Sequence, residues 1–129
     1  MKRIILLFTI FAFGHLALAQ NQTPVIVAKL PLGESVFLQN QYSIKFEKVI
    51  QDSRCPTNVD CVWPGEAKIL LHLKKDGLLQ EKKEIKLAGN NKMHSFSYGN
   101  KEIKIYNLAP YPASAAEKEK LAYYLQIDF

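Results

Sequence analysis

The feature that most constrains this chain is a two-residue alternation of apolar and polar side chains, repeated in short runs and broken by turn residues. Successive side chains of a β-strand point to opposite faces, so such runs describe strands with one buried and one solvated face. Val36 and Leu38 share one face of the first clear run, and Tyr42, Ile44 and Phe46 share one face of the next, with Ser43, Lys45 and Glu47 opposite. Asn40-Gln41 between these runs predicts a tight hairpin. From Glu66 to Lys74, Ala67, Ile69, Leu71 and Leu73 line one side, and His72 lies on the other with Lys68, Leu70 and Lys74. Asp76-Gly77 then supplies the positive φ angles of a type I′ hairpin and returns the chain through Leu78 to Leu87. Gly99-Asn100, with glycine in the first central position, predicts a second hairpin joining Met93–Tyr98 to Glu102–Leu108, where Ile103 and Ile105 face inward. The last strand, Lys120 to Phe129, places Tyr123, Leu125, Ile127 and Phe129 on one face, and the Pro-rich segment before it reads as a loop with a helical turn. About seven to eight short strands with closely spaced turns predict an all-β fold, a small antiparallel β-sandwich or open barrel.

The N-terminus obeys a different pattern. Met1-Lys2-Arg3 is followed by an apolar run from Ile4 to Phe13 and by Ala17-Leu18-Ala19, the order of a cleavable signal peptide over residues 1–19. The run is interrupted by Gly14 and His15 and falls short of the roughly 20 residues that span a bilayer. Residues 20–129 then form a single β domain, expected in an extracytoplasmic compartment, periplasmic or secreted, with no membrane span in the mature chain. Loss of Lys2 and Arg3 lowers the basic count from 17 to 15 against 12 acidic residues, a net charge of +3. The excess is spread as lysine, alternating with glutamate in Lys82-Lys83-Glu84 and Glu117-Lys118-Glu119-Lys120, which reads as solvated surface. Arg54 is the only arginine after the signal segment, so nucleic acid is not an expected partner.

Chemistry-bearing residues concentrate in one stretch, Asp52-Ser53-Arg54-Cys55-Pro56-Thr57-Asn58-Val59-Asp60-Cys61-Val62-Trp63-Pro64-Gly65. Both cysteines are here, and in an exported chain Cys55 and Cys61 most simply form one disulfide. On the chain-entropy estimate, closing so short a loop removes about 2.4 kcal/mol of unfolded-state entropy. A metal or redox site is the rival reading. Five intervening residues are wider than the usual zinc or C-x-x-C spacings, and His72 and His94 stand at no ligand spacing to the cysteines, so no metal or cofactor is expected. A copper site of the cupredoxin kind would want Cys, His and Met clustered near the C-terminus, and Met93-His94 alone does not supply that.

Arg54 invites two readings, an ion pair with Asp52 or Asp60 that ties the loop down, favoured because arginine suits bidentate carboxylate pairing, and a ligand contact. For Trp63 the favoured reading is a plug covering the bridge, ahead of an exposed platform. Tyr106, Tyr111 and Tyr124 are the candidates for exposed aromatics. Together Arg54, Trp63, Tyr106, Tyr111 and Tyr124 are the candidate binding residues.

Asp52-Ser53-Arg54-Cys55-Pro56, a short gap, and Cys61-Val62-Trp63-Pro64-Gly65-Glu66-Ala67 resemble the loop of a group of small exported bacterial proteins with the pattern D-S-R-C-P and C-V-W-x-G-x-A. Pro64 stands where the group tends to carry alanine. The likeness extends to the Leu-x-x-Tyr-Pro segment Leu108–Pro112 and covers most of the chain after residue 19. It implies a small exported domain and brings no activity with it.

No nucleophile–base pair or metal set stands out, so the expectation is not an enzyme. A rigid β scaffold expresses function through its loops, which favours an exported binding or interaction module whose partner is a protein or envelope ligand. The alternative is an inhibitor of extracytoplasmic proteases that presents the Cys55–Cys61 loop. A structural subunit docking by an exposed edge strand is the third class.

Overall fold

The alternating runs become strands. The computed structural model describes residues 27–129 apart from positions 40 and 91, so the predicted signal peptide lies outside the described residues. The strands are β1 (Ala28–Pro31), β2 (Ser35–Phe37), β3 (Tyr42–Asp52), β4 (Glu66–Lys75), β5 (Leu78–Ala88), β6 (His94–Tyr98), β7 (Lys101–Ala109) and β8 (Tyr124–Asp128), with a 3₁₀ helix at Ala115–Lys120. They form two four-stranded antiparallel sheets, ordered β2-β3-β4-β5 and β1-β8-β7-β6, in an all-β sandwich that does not close into a barrel.

The core is what the periodicity predicts. Ile44, Phe46, Ala67, Ile69, Leu71 and Leu73 from one sheet pack with Ile103, Ile105, Leu125 and Ile127 from the other, all of them buried. Each of these side chains but the small Ala67 contributes about 1.5–3 kcal/mol by leaving water. Ile85 and Leu87 extend this core into β5, and Tyr123 enters it just before β8.

Both predicted two-residue turns form. Asp76 and Gly77 have φ 52° and 76°, as a type I′ turn requires, and Gly99 and Asn100 also both lie in the left-handed region at 59° and 61°. In the β2–β3 connection Asn40 lies outside the described residues, whereas Gln41 has φ 68° and the Leu38 amide donates to the Tyr42 carbonyl at 2.8 Å.

Three differences have local causes. The alternation fades after Glu47 because β3 continues through two register shifts, between Phe46 and Lys48 and between Val49 and Gln51. Each bulge sets two residues against one and resets the inward face. Ser43 lies on the outward side as expected but is buried, with Phe37 and Lys74 as its neighbours on the flanking strands. The last strand begins at Tyr124, not Lys120, because Ala115–Lys120 winds into the 3₁₀ helix.

Candidate functional site

β3 ends at Asp52 and β4 starts at Glu66, and the segment between them is the cysteine-bearing loop. Cys55 and Cys61 are joined by a disulfide with Cα atoms 5.9 Å apart. Below the bridge the two arms of the loop form a neck. The Ser53 amide and hydroxyl both donate to the Glu66 carbonyl at 2.8 Å, and the Cys55 amide donates to the Pro64 carbonyl at 3.0 Å.

Two glycines allow this closeness. Gly65, at φ +70°, approaches the Ser53 carbonyl so nearly that a Cβ would overlap it, and a Cβ on Gly89 would overlap the Pro64 carbonyl. The Gly89 amide in turn donates to the Gly65 carbonyl at 2.9 Å. Three backbone segments therefore meet at a point where no side chain fits.

A buried ion pair anchors the neck to the other sheet. The Arg54 side chain is 2% exposed and grips Asp52 bidentately, Nε to Oδ1 at 2.9 Å and Nη2 to Oδ2 at 2.7 Å. Its remaining donors reach the Leu108 carbonyl and, at 3.3 Å, the Pro110 carbonyl, both in or beside β7. The guanidinium carbon sits 4.7 Å from the centre of the Tyr111 ring, whose hydroxyl donates to the Gly89 carbonyl at 3.3 Å. From the 3₁₀ helix the Lys118 ammonium donates to the carbonyls of Asp52 at 3.0 Å and Arg54 at 2.9 Å. The Tyr123 hydroxyl donates to Asp52 Oδ2 at 2.9 Å, and the Thr57 amide to the Pro112 carbonyl at 3.1 Å.

The electrostatics follow from this packing. Burial pushes the Asp52 carboxyl up, but hydrogen bonds from Arg54 and Tyr123 and the charge of Arg54 outweigh it and hold the group below its ordinary value. Tyr123 is pushed up to about 12, first by burial and then by its hydrogen bond to the Asp52 carboxylate. An open groove of about 490 Å³ runs beside this cluster, and the polar atoms of Asp52, Lys118 and Tyr123 on its wall are paired among themselves.

Above the clamp the loop is bare. Every residue from Thr57 to Pro64 is exposed, including Val59 at 54%, Val62 at 91% and Trp63 at 79%. The expectation that Trp63 plugs the bridge is overturned, because the interior beneath the loop is taken by Arg54 and Tyr111. Of the two acids weighed as partners for Arg54, only Asp52 pairs with it, and Asp60 lies on the exposed tip.

The candidate residues are thus divided. Arg54 and Tyr111 meet in the clamp, Arg54 buried and Tyr111 half-buried, while Trp63 stands exposed between the bridge and the neck. Tyr106 sits at a bulge of β7 and Tyr124 opens β8 with the Lys29 ammonium 4.9 Å from its ring centre; both are half-buried and belong to the other sheet. His72, on β4, lies 3.4 Å from the carboxylate of Glu47 on β3, and His94 begins β6. Lys118 and Tyr123 were not singled out by sequence reasoning. Lys118 falls in a Lys/Glu mixture that reads as solvated surface, and Tyr123 reads as core; the Leu108–Pro112 segment is the signal that pointed towards their neighbourhood. No protein-family model, curated protein or solved structure matches this chain.

Proposed function

We propose that this protein is an interaction module that acts outside the cytoplasm and docks a protein partner through the exposed part of its disulfide-bearing loop, centred on Val62 and Trp63. The observation that carries the reading is the exposure of Val62 and Trp63, at 91% and 79%, on the two-residue arm between the Cys55–Cys61 bridge and the Cys55–Pro64 hydrogen bond, which hold it at both ends. An exposed tryptophan beside two exposed valines is apolar surface that folding left in water, and such patches mark binding sites. Aromatic anchors of this kind dominate interface energetics, and a loop already held in shape loses little entropy on docking. The disulfide and the signal-like N-terminal pattern support the compartment. No helix among the described residues is long and apolar enough to cross a membrane.

Trp63 is the only tryptophan, so its emission reports this arm directly. The mature protein, immobilised through its C-terminus, is expected to retain a specific partner from envelope extract, and Trp63→Ala is expected to abolish retention while leaving the far-ultraviolet circular dichroism unchanged. Addition of the recovered partner should shift Trp63 emission to the blue. Equal retention by wild type and Trp63→Ala would remove this arm as the docking site.

A second reading, inhibition of an extracytoplasmic protease, is favoured by one specific feature: the exposed run Thr57–Pro64 is stapled across Cys55–Cys61 and backed by the Arg54 clamp. Constrained exposed loops suit protease clefts because they resist the rearrangement that follows cleavage. Titration of micromolar protein against serine, cysteine and metalloproteases tests it, and undiminished activity throughout the panel eliminates it.

A further inference from the structure

The two sheets turn different surfaces outward. On β1-β8-β7-β6 the outward charges are Lys29, Lys104, Glu102 and Asp128, which cancel. On β2-β3-β4-β5 the register sends six lysines outward, Lys45, Lys48, Lys68, Lys74, Lys82 and Lys86. Three glutamates share that face, Glu47, Glu66 and Glu84. The difference of six and three is +3, which equals the whole charge excess of residues 20–129. Lys45 and Lys68 are held by Glu47 and Glu66 at 2.7 Å and 3.8 Å, whereas Lys48, Lys74, Lys82 and Lys86 form no ion pair among the described residues.

One end of this face carries a large apolar side chain on each of its two outer strands. The row Phe37–Ser43–Lys74–Leu79 crosses all four strands, and the register shift after Leu73 is what brings Leu79 opposite Lys74. Phe37 is 79% exposed, Leu79 44%, and Leu78 beside it 69%. Four strands about 4.8 Å apart give a broad surface with ammonium groups over most of its area and large apolar side chains at the two corners of one end.

We propose that the outward face of β2-β3-β4-β5 is a peripheral docking surface for an anionic lipid bilayer, with Lys48, Lys74, Lys82 and Lys86 over the headgroups and Phe37 and Leu79 entering the interface. Lysines attract a negative surface without needing a defined phosphate geometry, and apolar side chains next to them find the acyl boundary that a soluble polyanion lacks. The apolar row lies at the Asp76-Gly77 end of β4 and the disulfide loop at the opposite end, so the two surfaces are separate and this reading is independent of the loop.

Co-sedimentation with vesicles tests it. The mature protein is expected to sediment with phosphatidylglycerol–phosphatidylcholine vesicles, to remain in solution with phosphatidylcholine alone, and to be released as salt is raised. With roughly a fivefold contribution from each lysine, the triple variant Lys74→Gln, Lys82→Gln, Lys86→Gln should bind on the order of 100-fold more weakly. Phe37→Ser with Leu79→Ser should weaken binding by about tenfold or more. Lys29→Gln with Lys104→Gln, on the neutral face, and Trp63→Ala, on the disulfide-bearing loop, should bind as wild type does. The proposal is overturned if anionic vesicles fail to sediment the protein, if the neutral-face or Trp63 variants lose binding as the triple variant does, or if a soluble polyanion such as heparin binds as tightly and the Phe37/Leu79 variant is unaffected.

Discussion

Strand β4 is joined to its two neighbours in opposite ways. At its C-terminal end, Asp76 and Gly77 alone turn the chain into β5, with φ angles of 52° and 76° that two residues can adopt by themselves. At its N-terminal end the connection from β3 runs from Ser53 to Gly65, and its shape depends on residues far away in the chain: Gly89, Leu108, Pro110, Tyr111, Lys118 and Tyr123. The first connection is a local solution, indifferent to the other sheet. The second is a tertiary construction in which a covalent staple fixes the ring and a buried guanidinium–carboxylate pair fixes how the ring sits on the sandwich.

If that contrast is right, damage to the long loop should exceed damage to the short turn. Arg54→Ala strands the Asp52 carboxylate in a buried site and should destabilise the domain by about 3–5 kcal/mol in chemical denaturation, with new proteolytic cuts between Thr57 and Trp63. A loss below about 1 kcal/mol, the scale of a surface pair, would break the comparison. Replacing both cysteines by serine should destabilise by about 2.4 kcal/mol and leave the Arg54–Asp52 pair in place, which separates the staple from the clamp. Gly77→Ala should destabilise by about 1–2 kcal/mol, because a Cβ disfavours the left-handed conformation, and should leave the loop as protease-resistant as before.

Proton linkage sharpens the same contrast, since ionisable groups hold the long loop and the short turn needs none. Asp52 has a folded value below its ordinary 3.8, so its contribution is fully present above that value and is lost as pH falls through the folded value. Tyr123 behaves in the opposite sense. Its value rises from 10.0 to about 12, so its contribution is intact below 10.0 and disappears as pH climbs towards 12. Thermal melts of Asp52→Asn and Tyr123→Phe should therefore show a flatter acid limb and a flatter alkaline limb respectively, with Tyr123→Phe destabilised by about 1 kcal/mol at neutral pH. The smallest effect belongs to Trp63, where Trp63→Ala should change stability by no more than about 0.5 kcal/mol, as expected of a side chain that is 79% exposed.

The candidate site was legible in its position and not in its internal arrangement. Both cysteines, the acidic and basic pair at Asp52 and Arg54, and Trp63 stand within one short stretch, so a rigid loop could be expected there, and pairing of Asp52 with Arg54 is a contact between near neighbours. Asp60, across the cysteine ring, was the other acid weighed as a partner, and only the fold shows that it lies on the exposed part of the loop. Trp63 reads as core by composition, since a lone tryptophan beside a disulfide ordinarily covers it. Whether it can do so depends on what already fills the space, and that space belongs to Arg54 and to Tyr111, 57 positions further along the chain. Lys118 was hidden for the opposite reason: among alternating glutamates and lysines nothing marks the one ammonium that will strap two backbone carbonyls.

By itself the amino-acid sequence determined most of the strands, their inward faces up to the bulges of β3, and the two-residue turns, because alternation and positive-φ residues act through the backbone within a few positions. It also placed Lys45, Lys68, Lys74 and Lys86 on the sides opposite the inward residues, whereas Lys48 faces outward only because of the bulge after Phe46. The tertiary structure decided where the loop points, which acid Arg54 holds and that Val62 and Trp63 remain in water. Those outcomes depend on which distant groups occupy a shared volume, and packing in a crowded interior is a property of the assembled sheets, not of any stretch of chain.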